Sequence, residues 1–258
     1  MPIRGMIIRK HIVALLLSGV LGFLPVSTNA EPVTAPSDPA FQRAVEQVVE
    51  QYLRSHPEVI EQSLRILQAK RQTKERERTR QVIATKQTEL LNDPNSPVSG
   101  SLDGDVTVVK FFDYRCGYCK HVAGTVTQLQ QDDPNVRVVY KDYPILGEAS
   151  ELASRAALAS KVQGKHLAFH EALLASKQEL TQDSILTIAS EVGLDTERLS
   201  LDMQAPTIQA IIERNRELAR ELGINGTPGF IVGTELAPGA LDLKDLKNLI
   251  RQVRQKKS

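Results

Sequence analysis

The spacing of apolar residues divides the chain into a helical part and a mixed part. Between residues 40 and 70, apolar residues recur every three or four positions, which predicts two helices separated at Pro57. Further on, apolar and β-branched residues dominate two short runs, Val106–Phe112 and Val136–Tyr140, which predict buried strands. The segment between them, from Cys116 to about Gln130, has helical spacing. These three elements predict a βαβ unit.

The rest of the chain is predicted to be mainly helical. Helical patterns fill residues 148–222 and are interrupted at glycine and proline positions. A strand is then predicted at Gly229–Gly233 and a weaker partner strand at Glu235–Leu241, and Asp242 caps a final helix. The predicted fold class is therefore α/β, with an all-helical insertion at about 148–222.

Turn-forming residues at 92–104 separate the two parts of the chain. We predict an N-terminal helical segment at 31–95 and an α/β domain at 96–258. Residues 70–80 contain six basic and two acidic side chains, which predicts a solvated helical strut. The apolar stripes before this strut are too narrow to fold alone, so the helices need a partner surface. We predict self-association into a homo-oligomer, and the alternative is docking on the chain's own α/β domain.

The first 30 residues have the pattern of a secretory signal peptide. Three basic residues precede the apolar stretch Ile12–Leu24, and small residues end at Ala30. We predict cleavage after about Ala30 and export from the cytoplasm. The alternative is an uncleaved anchor, although this apolar stretch is short for a membrane span and is interrupted by glycines.

The charge balance argues against a nucleic-acid partner. The chain has 32 basic and 31 acidic residues, and removal of residues 1–30 leaves 29 against 31. A nucleic-acid-binding protein would show a marked basic excess.

The only two cysteines lie together, as Cys116-Gly117-Tyr118-Cys119, directly after the first predicted strand. A Cys-x-x-Cys pair at the start of a helix is close enough to form a disulfide. Cys116 is predicted at the helix N-terminus, where free amides and the neighbouring Arg115 favour a thiolate. Cys119 lies one turn deeper. We therefore predict that Cys116 attacks and that Cys119 resolves the mixed disulfide.

A metal site is the alternative explanation of this cysteine pair. Zinc needs two further ligands, and His121 lies about 140° round the helix from Cys116. Lys120, on the Cys116 side, is instead expected to stabilise the thiolate. No metal site is predicted, and Cu(I) held by the two thiolates is the form kept as an alternative. His166 and His170 have ligand spacing but no acidic motif between them, so they are expected to be surface or packing residues.

A second motif, Gly226-Thr227-Pro228-Gly229, precedes the strand predicted near residue 230. We predict a cis bond between Thr227 and Pro228. At this position it would leave backbone groups free to hold an extended peptide.

Two sequences, FFDYRCGYCKH and GINGTPGFIVG, together with the helical insertion between them, resemble the DsbA-like branch of the thioredoxin superfamily. Residues 40–95 resemble the N-terminal extension of ScsC-like oligomeric members. The resemblance implies a thioredoxin fold with a helical insertion, Cys116 as nucleophile, Cys119 as resolving thiol, and no cofactor. It also implies that Thr227 and Pro228 line a peptide groove, and we assign Gly117 and Tyr118 to the same substrate-binding surface.

Two departures from the family pattern leave the redox direction open. The position six residues before Cys116, acidic in the best-known oxidases of this family, is Lys110, and Asp113 is nearer in sequence. The residues between the cysteines are Gly117 and Tyr118 rather than Pro and His. Such local electrostatics set the redox potential.

The function predicted is that of a periplasmic thiol–disulfide interchange protein, an isomerase or oxidase. Its predicted partners are unfolded or misoxidised exported proteins and a membrane redox protein, either a reductase or an oxidase. The alternatives are a monomeric DsbA-type oxidase, a Cu(I)-binding metallochaperone and a surface interaction protein.

Overall fold

The structure is a computed structural model of the protein, and it describes residues 38–257. The predicted signal peptide therefore lies outside the described residues. The chain forms two compact units, the first ending at Glu61 and the second beginning at Gln62. Within the described range, no helix combines the length and the apolar character needed to cross a membrane.

The two predicted N-terminal helices are confirmed. Helix α1 spans Pro39–Ser55, and the Asp38 carboxylate caps it by accepting a hydrogen bond from the Ala40 amide at 2.9 Å. Helix α2 spans Pro57–Thr85 and begins at the proline that the pattern predicted as the break. No residue of α1 is buried in the single chain.

The C-terminal part of α2 belongs to the core of the second unit. Its residues 70–78 are exposed, as predicted for a strut, but Thr79 and Ile83 are buried. The short helix α3, Gln87–Leu91, adds a buried Leu90 to the same core. Single buried residues in a polar helix give no apolar stripe, so these contacts were not predicted, and the boundary at 92–104 stays a prediction.

Five strands form one mixed sheet in the order β1-β3-β2-β4-β5. The strands are β1 Val98–Gly100, β2 Val106–Phe112, β3 Val136–Asp142, β4 Gly229–Val232 and β5 Glu235–Pro238. Strands β2 and β3 are parallel, and the other neighbours are antiparallel. Strand β1 was not predicted, because its three residues lie among turn-forming residues.

The predicted helix from Cys116 to about Gln130 is divided into α4, Gly117–His121, and α5, Ala123–Asp132. The predicted helical insertion is confirmed. Its elements are α6 Glu148–Ser160, a 3₁₀ turn at Lys161–Gln163, α7 His166–Ala175, α8 Gln182–Glu191, α9 Thr196–Asp202 and α10 Pro206–Glu221. The last helix, α11, spans Leu243–Lys257, and Asp242 caps it as predicted, accepting from the Asp245 amide at 2.8 Å.

Alternation along β2 directs its side chains into two separate cores. Val106, Val108 and Phe112 pack in the larger core, together with Cys119 and residues of the helical insertion. Val109 and Phe111 pack in the smaller core on the other face, with Ile83 and Leu90. The predicted α/β fold class with an inserted helical domain is confirmed.

Candidate active site

Cys116 caps the N-terminus of α4 immediately beyond the carboxyl end of β2. Its backbone is extended, with φ −69° and ψ 117°, and its carbonyl accepts the hydrogen bond of the Lys120 amide. The side chain is 7% exposed, and its Sγ donates to the Thr227 carbonyl oxygen at 3.2 Å. Both cysteines are free thiols. The Cys116 sulfur therefore lies at the N-terminal end of a helix and next to the second predicted motif.

Cys119 lies on the inner side of α4 and is fully buried. Burial is the largest effect on this thiol and raises its pKa to about 12. The two sulfurs thus differ in access and environment, in the direction predicted for a nucleophile and a resolving thiol. Those roles themselves stay predictions.

The loop before β4 brings the second motif to the cysteines. The Thr227–Pro228 peptide bond is cis, as predicted. The Pro228 carbonyl accepts a hydrogen bond from the Gly239 amide at 2.9 Å, and Gly229 pairs with Phe111 of β2. The loop is therefore held by backbone bonds beside the Cys116 sulfur.

The residues between the cysteines face outward. Tyr118 is 70% exposed. A Cβ atom placed on Gly117 would meet no atom within 4 Å among the residues described. The structure thus brings exposed Gly117 and Tyr118 next to the nearly buried Cys116, whose sulfur contacts Thr227. Their part in substrate binding stays a prediction.

The Asp113 carboxylate is hydrogen-bonded to a loop and to Ser150 rather than to the thiols. Its buried carboxylate accepts hydrogen bonds from the Arg115, Ile145 and Leu146 amides at 2.7, 2.8 and 3.0 Å. It also accepts from the Ser150 hydroxyl at 2.8 Å. The Arg115 guanidinium donates to the Leu146 carbonyl at 2.6 Å. Sequence reasoning missed this arrangement, which fixes the half-exposed Ile145 and Leu146 near the active site.

The expectation for Lys120 was wrong. Its ammonium group donates to the carbonyl of Ser176 at 2.6 Å, at the C-terminal end of α7. The helical angle placed Lys120 on the Cys116 side, but it did not account for the reach of the side chain toward a free helix carbonyl.

His166 and His170 are packing residues, as expected. Both are buried on α7, and their rings stack with centroids 5.7 Å apart. The Nδ1 atom of His170 lies 2.9 Å from the Tyr114 hydroxyl. Burial lowers the pKa of His166 to about 3 and holds the pKa of His170 well below its usual value. Within residues 38–257, no three His, Cys, Asp or Glu side chains are grouped to hold a metal ion.

Two buried ionisable residues lie in this region: Lys110, which its position six residues before Cys116 had already marked, and Asp142, which was not predicted. Lys110, in the middle of β2, is 1% exposed, and burial lowers its pKa to about 8. Asp142, at the end of β3, is fully buried, and burial raises the pKa of its carboxyl to about 7. A charged residue inside an apolar strand run was the available signal for Lys110.

An asymmetric dithiol at a helix N-terminus, beside a cis-proline loop on a mixed sheet, defines a thioredoxin-like thiol–disulfide oxidoreductase domain. Residues 107–251 match the family described as "DSBA-like thioredoxin domain", and the chain belongs to this family. Residues 42–74 match the family described as "Copper resistance protein ScsC N-terminal domain".

Solved structures with the same fold include close relatives in sequence. The chain is 49% identical to a thioredoxin-like oxidoreductase from Silicibacter pomeroyi DSS-3, with a TM-score of 0.64, over 65% of this chain and 97% of that one. It is 30% identical to ScsC of Proteus mirabilis in a transitional conformation, with a TM-score of 0.64, over 85% and 99% of the two chains.

The first curated relatives are longer proteins. The chain is 26% identical over 159 residues to a Na⁺/H⁺ antiporter, NhaA, of Herminiimonas arsenicoxydans. This match covers 61% of the chain and 25% of the antiporter. The chain thus spans about a quarter of the length of that relative.

Proposed function

We propose that this protein is a periplasmic thiol–disulfide interchange protein that acts on exported proteins through Cys116 and Cys119. The observation that carries the proposal is the difference between the two sulfurs. Cys116 Sγ meets the Thr227 carbonyl at the N-terminus of α4, whereas Cys119 is enclosed behind it. A dithiol built for stability alone would not need one sulfur at a helix N-terminus and the other fully buried.

In the first step, the Cys116 thiolate attacks one sulfur of a substrate disulfide. A bond forms between Cys116 Sγ and that sulfur, the substrate's own S–S bond breaks, and its second sulfur leaves as a thiolate. Attack on the mixed disulfide by Cys119 releases the first substrate sulfur and oxidises the dithiol. If another substrate thiol attacks first, the substrate leaves with a rearranged disulfide.

The substrate is proposed to be a polypeptide held beside Cys116. The Thr227 backbone lies next to the sulfur, and a Cβ atom added at Gly117 would meet no atom within 4 Å among the described residues. Tyr118 and Leu146 offer exposed apolar surface at the edge of the site. This combination suits an extended or unfolded chain, whose backbone pairs with the loop and whose apolar side chains contact the rim.

The N-terminal helices are proposed to join several copies of the chain. Large apolar side chains remain exposed along α1 and the first turns of α2 in the single chain. They are Phe41, Val45, Val48, Val49, Tyr52, Ile60, Leu64, Ile66 and Leu67. An exposed apolar surface of this extent supports an interface here. Most of it lies within residues 42–74, which match the ScsC N-terminal family. Several active sites around one substrate favour shuffling of disulfides, so we propose isomerase activity.

The periplasmic location is supported by the signal-peptide pattern and by a similar structure. That structure is a periplasmic thioredoxin-like protein of Salmonella enterica serovar Typhimurium, 33% identical over 64% of this chain. We propose cleavage after about Ala30. An isomerase must be kept reduced and an oxidase must be reoxidised, so a membrane redox protein is the proposed partner.

Refolding of two forms of one substrate protein separates the candidate activities. The mature protein is mixed with a scrambled-disulfide substrate and, separately, with its fully reduced form. The proposal expects recovery of the scrambled substrate, lost in Cys116→Ser and reduced in Cys119→Ser. Recovery of the reduced substrate only would favour the oxidase alternative. Wild-type behaviour of the double Cys→Ser variant, or tight stoichiometric Cu(I) binding without exchange activity, would contradict the proposal.

A further inference from the structure

Lys110 is a charged residue built into the centre of the sheet. Its position on β2 pairs with Tyr140 of β3 and with Phe230 of β4. Strand alternation places its side chain on the same face as Val108 and Phe112, which is the face whose core contains Cys119. Lys110 therefore projects into the same layer as the buried resolving thiol.

The ammonium group of Lys110 has an environment that does not favour a permanent charge. Its Nζ lies 5.7 Å from the centroid of the Phe112 ring. No carboxylate forms an ion pair with it in the part of the chain that the structure describes. Burial lowers its pKa to about 8, and the only charge that raises it is a thiolate at Cys119.

A cavity of about 400 Å³ connects Lys110 to the outside between α5 and α7. Lys110, Tyr140 and His170 lie at its inner end, and Thr127 and Glu171 are exposed at its rim. The cavity has room for water beside the Lys110 amine. A proton taken up by this amine can therefore exchange with solvent without passing the substrate surface around Cys116.

We propose that Lys110 accepts the proton of Cys119 when Cys119 attacks the mixed disulfide. This inference rests on the proposed roles of the two cysteines. It assigns a function to the charged residue that interrupts the apolar run of β2.

The step balances without any further reagent. Cys119 Sγ forms a bond to Cys116 Sγ, the bond from Cys116 Sγ to the substrate sulfur breaks, and that sulfur leaves as a thiolate with the bonding pair. The Cys119 thiol proton passes to the neutral Lys110 amine, which becomes an ammonium ion. The dithiol is oxidised and the substrate disulfide is reduced.

The other titratable groups around Lys110 do not supply the same base. His170 of α7 is held neutral by burial and by Lys110 itself, and burial raises the pKa of Tyr140 of β3 to about 12. Lys120 of α4 is bonded to the Ser176 carbonyl. Glu171 lies at the rim, where it accepts from the Thr127 hydroxyl at 2.9 Å. Asp142 of β3 also titrates near neutral pH, since burial raises its pKa to about 7, but the charge that acts on it is that of Asp113. Lys110 is the group whose charge interacts with a thiolate at Cys119.

An aromatic disulfide that releases a coloured thiolate at each step measures the two steps separately. The first release reports attack by Cys116, and the second reports attack by Cys119. Because only neutral Lys110 accepts the proton, the second rate should rise about tenfold per pH unit and level off near pH 8. A thiol that ionises unaided near pH 12 would give a second rate that keeps rising.

Lys110→Met and Lys110→Arg should both slow the second release about tenfold or more and abolish the levelling near pH 8. Met cannot accept the proton, and Arg stays protonated. The first release should stay within about twofold of wild type. Lys120→Met, which alters the same cavity, is the matched control and should leave both releases unchanged.

Three results would overturn the proposal. They are a wild-type second rate without levelling near pH 8, an unchanged second rate in folded Lys110→Met, and an accelerated second rate in Lys110→Arg. If neither variant folds, the pH dependence of the second release in wild type alone tests the proposal. Loss of the first release in Cys119→Ser would instead contradict the proposed cysteine roles.

Discussion

At the scale of single residues, burial separates two cysteines that the sequence places only three positions apart. Reduced mature protein treated with an alkylating agent near pH 7 should lose Cys116 more than about tenfold faster than Cys119, because the thiolate reacts and burial raises the pKa of Cys119 to about 12. Peptide mass mapping at timed intervals measures both rates. Equal rates, or faster labelling of Cys119, would contradict the assignment.

The buried Lys110 should make stability depend on pH. The unfolded chain holds the lysine proton up to about pH 10.5, whereas the folded chain releases it near its lowered pKa of about 8. The free energy of unfolding should therefore rise with pH across this window, by about 3 kcal/mol from this residue. Lys110→Met should be more stable than wild type by up to that amount at pH 7, with little difference left near pH 10.5.

Urea unfolding of wild type and of Lys110→Met at several pH values measures this difference. Cys119 titrates in both proteins, so its contribution is common to the two curves. A gap between the chains that stays constant with pH would show that Lys110 does not titrate in the folded protein as its burial implies.

The sequence identified the cysteines and the Thr-Pro pair because their chemistry depends on residue type and local spacing. It could not identify the surroundings of Lys110, Asp113 or Lys120. Their partners come from β3, from α7 and from the loop before α6, all distant in the chain. Lys120 is the clearest example. The helical angle between Lys120 and Cys116 suggested a contact with the thiolate, whereas the ammonium group bonds to the Ser176 carbonyl.

At the scale of elements, long runs of apolar residues predicted strands correctly, whereas a short strand was missed. Strands β2 and β3 were predicted because apolar or β-branched residues fill six of the seven positions in Val106–Phe112 and four of the five positions in Val136–Tyr140. Strand β1 has three residues, and its place in the sheet depends on pairing with β3 rather than on its own composition. The inward contacts at the end of α2 were not predicted, because only Thr79 and Ile83 are buried in a mostly charged helix.

The packing of α2 gives a prediction with a matched control in the same helix. Ile83 is 2% exposed in the smaller core, whereas Ile66 is 50% exposed. Ile83→Ala should lower the free energy of unfolding by about 2 to 4 kcal/mol, because it removes buried methyl groups and leaves a cavity. Ile66→Ala should change it by about 0.5 kcal/mol or less.

Denaturant unfolding of both variants makes the comparison. A small effect of Ile83→Ala would show that the end of α2 is not part of the core. Any effect of Ile66→Ala that grows with protein concentration would report self-association instead.

At the scale of the whole molecule, the packing of Ile83 and Leu90 determines where the chain can be truncated without loss of core residues. A chain that begins at Gln62 keeps Ile83 and Leu90 in the core, whereas one that begins at residue 96 loses both. The first should be a folded monomer that keeps dithiol reactivity and loses most isomerase activity. The second should be less stable by about 4 kcal/mol or more.

Light scattering, thermal unfolding and refolding of a scrambled substrate compare the two truncations with the mature chain. A mature chain that is already monomeric, or unchanged isomerase activity in the Gln62 chain, would favour docking of α1 on its own domain. Equal stability of the two truncations would support the boundary first predicted at 92–104.

The most direct test is to trap the mixed disulfide with a substrate protein and locate the bond by mass spectrometry. Cys119→Ser should accumulate a covalent complex in which Cys116 Sγ is joined to a substrate cysteine, because the resolving thiol is missing. Cys116→Ser should accumulate none. A complex joined through Cys119, or equal trapping by the two variants, would contradict the exchange mechanism proposed for this protein.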